Sequence, residues 1–192
     1  MRRIAVLLLG ISACFGVLLF NESRQPTPVR LAQGMLGEHW YRIELTGQHV
    51  GYMYNQTPRD ARGQWIFRST THFLLQDNSP NTISKELTFS SKAPYALSRA
   101  EFKNASGITT EVAQADDGYH AQIKRGTQTN TIPLDWRFNL EDFLGFESWL
   151  DREAPEPGSS QLVSDPDFEK LRLVQRSYRV LDRNQQGYVI ET

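Results

Sequence analysis

The sequence predicts a mainly β protein: an antiparallel curved meander or half-barrel with one short helix at about residues 140–151, preceded by an N-terminal membrane helix. Three observations carry this. From Glu38 onward apolar and polar residues alternate with a period of two, the signature of half-buried strands. Clusters of Gly, Asn, Asp, Ser and Pro interrupt that alternation at roughly ten-residue intervals, as turns do in an all-β domain. Residues 4–20 are free of charge and follow a basic start.

Met1-Arg2-Arg3 is a basic cap, and Ile4 to Phe20 contains no charged residue. Crossing a bilayer takes roughly 17–25 apolar residues, which this run just provides. Two other routes compete. A secretory signal has an apolar region of roughly 7–15 residues and then a small-x-small cleavage site, and Asn21-Glu22-Ser23-Arg24-Gln25 offers none. Ile11-Ser12-Ala13-Cys14 resembles a bacterial lipobox, which makes Cys14, the sole cysteine, a lipidation candidate. Against it, Phe15 to Phe20 continues the apolar run where a lipoprotein normally turns polar. All three routes export the body of the chain and leave the basic end in the cytoplasm. The expected location is the bacterial inner membrane, single-pass, held by residues 4–20, with the C-terminal domain in the periplasm. A lipoprotein or a secreted periplasmic protein is the alternative. A single cysteine leaves no intrachain disulfide, so stability rests on core burial.

Three regions follow: a signal-anchor or signal segment at 1–20, a linker at 21–37, and an extracytoplasmic β domain at 38–192. Pro26, Pro28, Gly34 and Gly37 mark the linker, which lacks periodicity. Trp40 to Tyr54 reads as a hairpin turning at Gly47, with Ile43, Leu45 and Val50 packed inward. Gln64 to Gln76 is a long strand rich in β-branched and aromatic residues. Further strands are expected at 82–90, 97–103, 108–115, 119–125 and 129–134, with Asp116-Asp117-Gly118 the clearest turn. Asn139 can cap a helix with Asp142 three residues on, and Leu140, Phe143, Leu144, Trp149 and Leu150 form its apolar stripe, weakened at Gly145. Gln161 to Lys170 is expected as loop, then 171–182 and 188–192 as strands.

Composition narrows the function classes. Apolar residues make up 39% and charged residues 22%, which places the chain among globular proteins. The formal charge is −1, so no basic excess exists to hold a phosphate backbone and nucleic acid is not an expected partner. Cys14 lies in the export segment, where it cannot meet an aqueous His and Asp as a thiol nucleophile. His39, His49, His72 and His120 lack metal-ligand spacing, so no metal or cofactor is expected. The carboxylate pairs Asp116-Asp117, Glu141-Asp142 and Asp165/Asp167 read as turn, helix-start and loop residues; a cell-wall hydrolase using such a pair is the weakest alternative. No catalytic constellation is present, and the expectation is that the chain is not an enzyme. Trp40, Tyr52, Tyr54, Trp65 and Phe73 are the candidate ligand or partner surface, on an open curved sheet whose concave face suits an apolar ligand.

The run Trp40-Tyr41-Arg42-Ile43-Glu44-Leu45-Thr46-Gly47-Gln48-His49-Val50-Gly51-Tyr52 resembles the opening of the β-rich N-terminal domain of bacterial exported transglutaminase-like proteins, with its G-x-x-x-G-Y turn. The resemblance extends loosely from Glu38 to the C-terminus through Leu87-Thr88-Phe89, Ala105-Ser106-Gly107 and Tyr178-Arg179-Val180-Leu181. In that family the catalytic Cys-His-Asp lies in a following domain, so no catalytic residue carries over. The resemblance implies a non-catalytic accessory domain, standing alone or as the front part of a split protein, and the leading expectation is that it binds an envelope protein or a transglutaminase-like enzyme in trans. A carrier or sensor for a small apolar ligand is the alternative.

Overall fold

The computed structural model describes residues 27–45, 48–74, 79–184 and 187–191. The expected membrane helix and Cys14 lie outside these residues. Among those described, no helix is long and apolar enough to cross a membrane.

The alternation from Gly37 to Leu134 folds into one eight-stranded antiparallel meander. Its strands are β1 (Gly37–Leu45), β2 (Gln48–Thr57), β3 (Trp65–Leu74), β4 (Pro80–Phe89), β5 (Leu97–Lys103), β6 (Thr109–Ala115), β7 (Gly118–Arg125) and β8 (Gln128–Leu134), and their order in the sheet is their order in the chain. Turn chemistry explains the simplicity: Asn104 Oδ1 accepts from the Ser106 and Ile108 amides, closing one of the tight connections. The mainly β, antiparallel expectation is therefore met.

Period two gives each strand two faces. Register places Trp65 and Phe67 of β3 opposite Phe89 and Leu87 of β4, then Leu87 opposite Ala100 and Ala100 opposite Val112 and Ala121 beyond it. This inner face is the core, and these side chains are buried. Tyr119 joins it by donating its hydroxyl to the Leu97 carbonyl at 2.6 Å.

What covers the inner face differs from the expectation in three places. The predicted helix exists but is split into α2 (Leu140–Phe143) and α3 (Gly145–Glu153), because Leu144 leaves helical geometry at φ −95, ψ 18, next to the glycine. Its start is as read: Asn139 Oδ1 accepts from Glu141 and Asp142, and Asp142 Oδ2 accepts from the Asn139 amide, a capping box. The predicted linker is corrected over Thr27–Gly34, which forms helix α1. Ala32 is fully buried in the core, Val29 and Leu31 pack against it, and Arg30 pairs with Asp151 of α3. The apolar spacing of Val29, Ala32 and Met35 was obscured by the flanking prolines and glycines. The predicted loop at 161–170 is also corrected. Ser160–Asp167 is strand β9, which pairs with β10 (Arg172–Asn184), itself paired with β11 (Gly187–Glu191), in a separate three-stranded sheet. Phe168 is buried between Phe102 and Trp136, with centroids 5.9 and 5.8 Å away, and ties this second sheet to the first.

Candidate functional site

The opening hairpin forms in the expected register, with Trp40 opposite Tyr54 and Arg42 opposite Tyr52. Residues 46–47 of its expected turn and the side chain of Leu45 lie outside the described positions. Ile43 and Val50 are half-buried rather than core: Ile43 is on the edge strand β1, and Val50 of β2 is the residue the register skips between Gly51 and His49. A bulge between Ile43 and Glu44 shifts the pairing near the hairpin end.

The five candidate surface aromatics divide between two faces. Register puts Trp40, Tyr54 and Tyr52 on the outer face, in line with Thr70 and His72 of β3. Trp65 and Phe73 have the other parity and point inward. Trp65 is 1% exposed, with the Arg59 guanidinium 4.7 Å over its ring, so it is core and not surface. The outer group is a contiguous row: Trp40 lies 4.6 Å from Tyr54 and 5.5 Å from Tyr52, and Tyr52 lies 4.8 Å from His72. Trp40 is 65% exposed and Tyr52 41%. Polar partners fix the row at its margins. The Glu38 carboxylate accepts from the Tyr54 hydroxyl, which raises the phenol pKa, and from Gln56 Nε2. Thr82 hydrogen-bonds His72 Nδ1 at 2.9 Å.

Phe73 lines a different feature, an apolar recess of about 230 Å³ where β2, β3 and β4 end, with Val50, Tyr52, Leu74 and Pro80 in its wall. Gly51 lets β2 close against β3 there. A Cβ at Gly51 would overlap the His72 carbonyl oxygen and lie 2.7 Å from Phe73 Cα. That close approach gives a physical reason for the second glycine of the G-x-x-x-G-Y motif.

The histidines stay apart in role. His39 is exposed on β1, His49 and His72 border the recess, and His120 bonds Asp117 at 2.8 Å. Among the described residues no group of three or more His, Cys, Asp or Glu is placed to hold a metal.

Each carboxylate pair has local partners. Asp117 is held below the usual carboxylate range by the hydrogen bond from His120. Asp142 is raised by burial, opposed by its bond from the Asn139 amide, with Glu141 the neighbouring charge. Asp142 and Asp116 line one cleft of about 600 Å³ with Tyr119, Trp136 and Arg137, but Asp116 is not among the causes of the Asp142 shift. Asp165 and Asp167 are on strand β9, not in a loop. Arg176 Nε donates to Asp165 at 2.6 Å, and Asp167 accepts from the Glu169 and Lys170 amides.

A titratable seam between the two sheets was not anticipated. Lys85 has the inward parity of β4, between Ile83 and Leu87, and burial lowers its pKa; Asp165 opposes this and Arg176 adds to it. Glu147 of α3 is raised by burial, and Tyr178 of β10, stacked on Phe146 at 4.5 Å, is raised by burial with Asp165 adding to it. The available signal was a lysine at an apolar parity.

The fold and its faces define an antiparallel β domain with an exposed aromatic row. No protein family and no solved structure matches this chain. A similarity exists to endothiapepsin of Cryphonectria parasitica, 27% identical over 113 residues, which spans 54% of this chain and 27% of that protein. Endothiapepsin is an aspartic protease, and this corrects the expectation that the chain is not an enzyme. At this identity and coverage the similarity does not establish an activity.

Proposed function

We propose that the chain is a membrane-tethered domain of the bacterial envelope, facing the periplasm, that acts by binding a partner protein. The observation that carries this reading is the outer aromatic row, with Trp40 and Tyr52 exposed and Tyr54 half-buried beside them, Trp40 being on a strand that among the described residues pairs with β2 alone. Large aromatics left in water cost free energy that a partner recovers, and Trp and Tyr dominate interface energetics. The uncharged run at 4–20 behind two arginines supports the tether and its orientation. The resemblance of residues 40–52 to the opening of exported transglutaminase-like proteins supports a partner of that kind, acting in trans.

A photo-crosslinker at Tyr52 in intact cells, followed by membrane fractionation, tests this. The expected outcome is recovery with the inner membrane, sensitivity to protease added from the periplasmic side, and a crosslinked envelope protein other than a second copy of this chain. Trp40→Ala should weaken the crosslink. A freely soluble chain with no crosslinked product would sink the reading.

The recess favours a second reading, a carrier of a small apolar ligand. Its volume of about 230 Å³ lies just below the roughly 300–1,000 Å³ of ordinary ligand sites. It suits a short acyl chain better than a drug-sized ligand. Phe73→Trp would fill it, and unchanged binding of a fluorescent fatty acid by that variant would count against the carrier.

A further inference from the structure

We infer that β1 is a self-complementary edge through which two copies of this chain pair, antiparallel, about a two-fold axis at Trp40. The inference starts from the four outermost strands of the two sheets, each paired on one side only among the described residues. Natural proteins block exposed edges with proline, short length or cover, because unpaired amides and carbonyls invite another strand. Three of the four edges carry such a device. β8 contains Pro133, β9 contains Pro166, and β11 has five described residues. β1 runs for nine residues without proline, and the bulge in its pairing with β2 falls at Ile43/Glu44, beyond residues 38–42. Residues 37–42 are exposed on both faces, Trp40 and Tyr41 among them. Among the described residues it pairs with β2 alone.

The side chains then select the occupant. In an antiparallel pair centred on Trp40, each residue faces the one equally far beyond the centre. Glu38 meets Arg42 of the second copy, and Arg42 meets its Glu38, so two opposite-charge pairs form on the outer face. His39 meets Tyr41 on the inner face, and Trp40 meets Trp40. The Trp40–Tyr54 contact at 4.6 Å extends across the seam into a four-ring row. A shift of register by two residues destroys both charge pairs, so the register is specified. Glu38 and Arg42 each have contacts within the protomer as well. The carboxylate has acceptor sites enough for both.

The contact is isologous, as in most soluble dimers. Its two-fold axis is normal to the sheet, which keeps both inner faces, and both α1 helices, on the same side. Two copies anchored by residues 4–20 would thus meet in one membrane at raised effective concentration; this last point alone rests on the proposed tether.

Sedimentation of the full-length chain in detergent tests the pairing, whichever compartment holds it. The wild-type chain should form a dimer. Glu38→Arg and Arg42→Glu each set like charges against each other twice, and each should weaken dimerisation roughly tenfold or more. An equimolar mixture of the two variants restores both opposite pairs and should recover the dimer. Thermal midpoints and circular dichroism near those of the wild type establish that the variants are folded. A wild-type chain that stays monomeric at every concentration overturns the inference, as does a dimer indifferent to both reversals or a mixture that fails to recover. Failure of the tether would appear in the fractionation experiment and leave this readout unchanged.

Discussion

Trp40 and Trp65 sit in strands of the same alternating character, yet one is 65% exposed and the other 1%. The difference is the face each occupies and its strand's position in the sheet. β3 has strands on both sides and α2 over its inner face, where Phe143 lies 4.7 Å from Phe67. β1 has one neighbour and no cover on its first six residues. An aromatic in a strand is therefore either core or docking surface, and its neighbours decide which. The central strands hold the fold together, and the opening hairpin has residues to spare for binding.

The contrast can be broken at four points. Trp65→Ala should cost about 3–5 kcal/mol of stability, the range for emptying a buried aromatic site. Trp40→Ala should change stability by about 0.5 kcal/mol or less, as exposed substitutions do. Urea unfolding of both variants measures the gap, and equal losses would erase the distinction between the two regions. Gly51→Ala comes next, at about 1–3 kcal/mol, because its methyl overlaps the His72 carbonyl and forces β2 off β3. A neutral result would mean that the hairpin is free to shift on the sheet.

Asn139→Ala removes the capping box over the buried half and should cost about 1 kcal/mol, read from the thermal midpoint. The smallest effect is a pH dependence at Glu147. Burial raises its carboxyl above the unfolded value, so the native state keeps a proton that the unfolded chain has lost. This contribution is full below the ordinary glutamate range and disappears as pH rises through the raised native value. Glu147→Gln lacks that titration. Midpoints of wild type and variant should separate with rising pH, the variant becoming the more stable; parallel curves would show that Glu147 is solvated.

Much of the meander was legible, because period-two alternation and turn residues are local signals. The Asn139 cap was legible for the same reason. Of the second sheet, β10 and β11 were legible and β9 was not. Asp165-Pro166-Asp167 reads as a loop, and only pairing with 172–179, together with the Arg176 bond, makes it a strand. Helix α1 was hidden by Pro28 within it and Pro26 before it, and packing of Ala32 into the core overrides that weak local signal. Of the candidate surface, Trp40, Tyr52 and Tyr54 share the outer face, whereas Trp65 and Phe73 fall on the opposite one. Alternation puts residues of one strand on two faces without saying which face is covered.

The sequence by itself determined the strands of the first sheet, the turns between them and the cap at Asn139, since these follow from backbone geometry within a few residues. Tertiary structure alone decided which parity is core, which strand is an edge, and that Lys85, Asp165, Arg176 and Glu147 share a seam. Burial depends on what packs against a face, and the covering elements come from more than fifty residues away along the chain for Phe67 and Phe143. No local pattern carries that information.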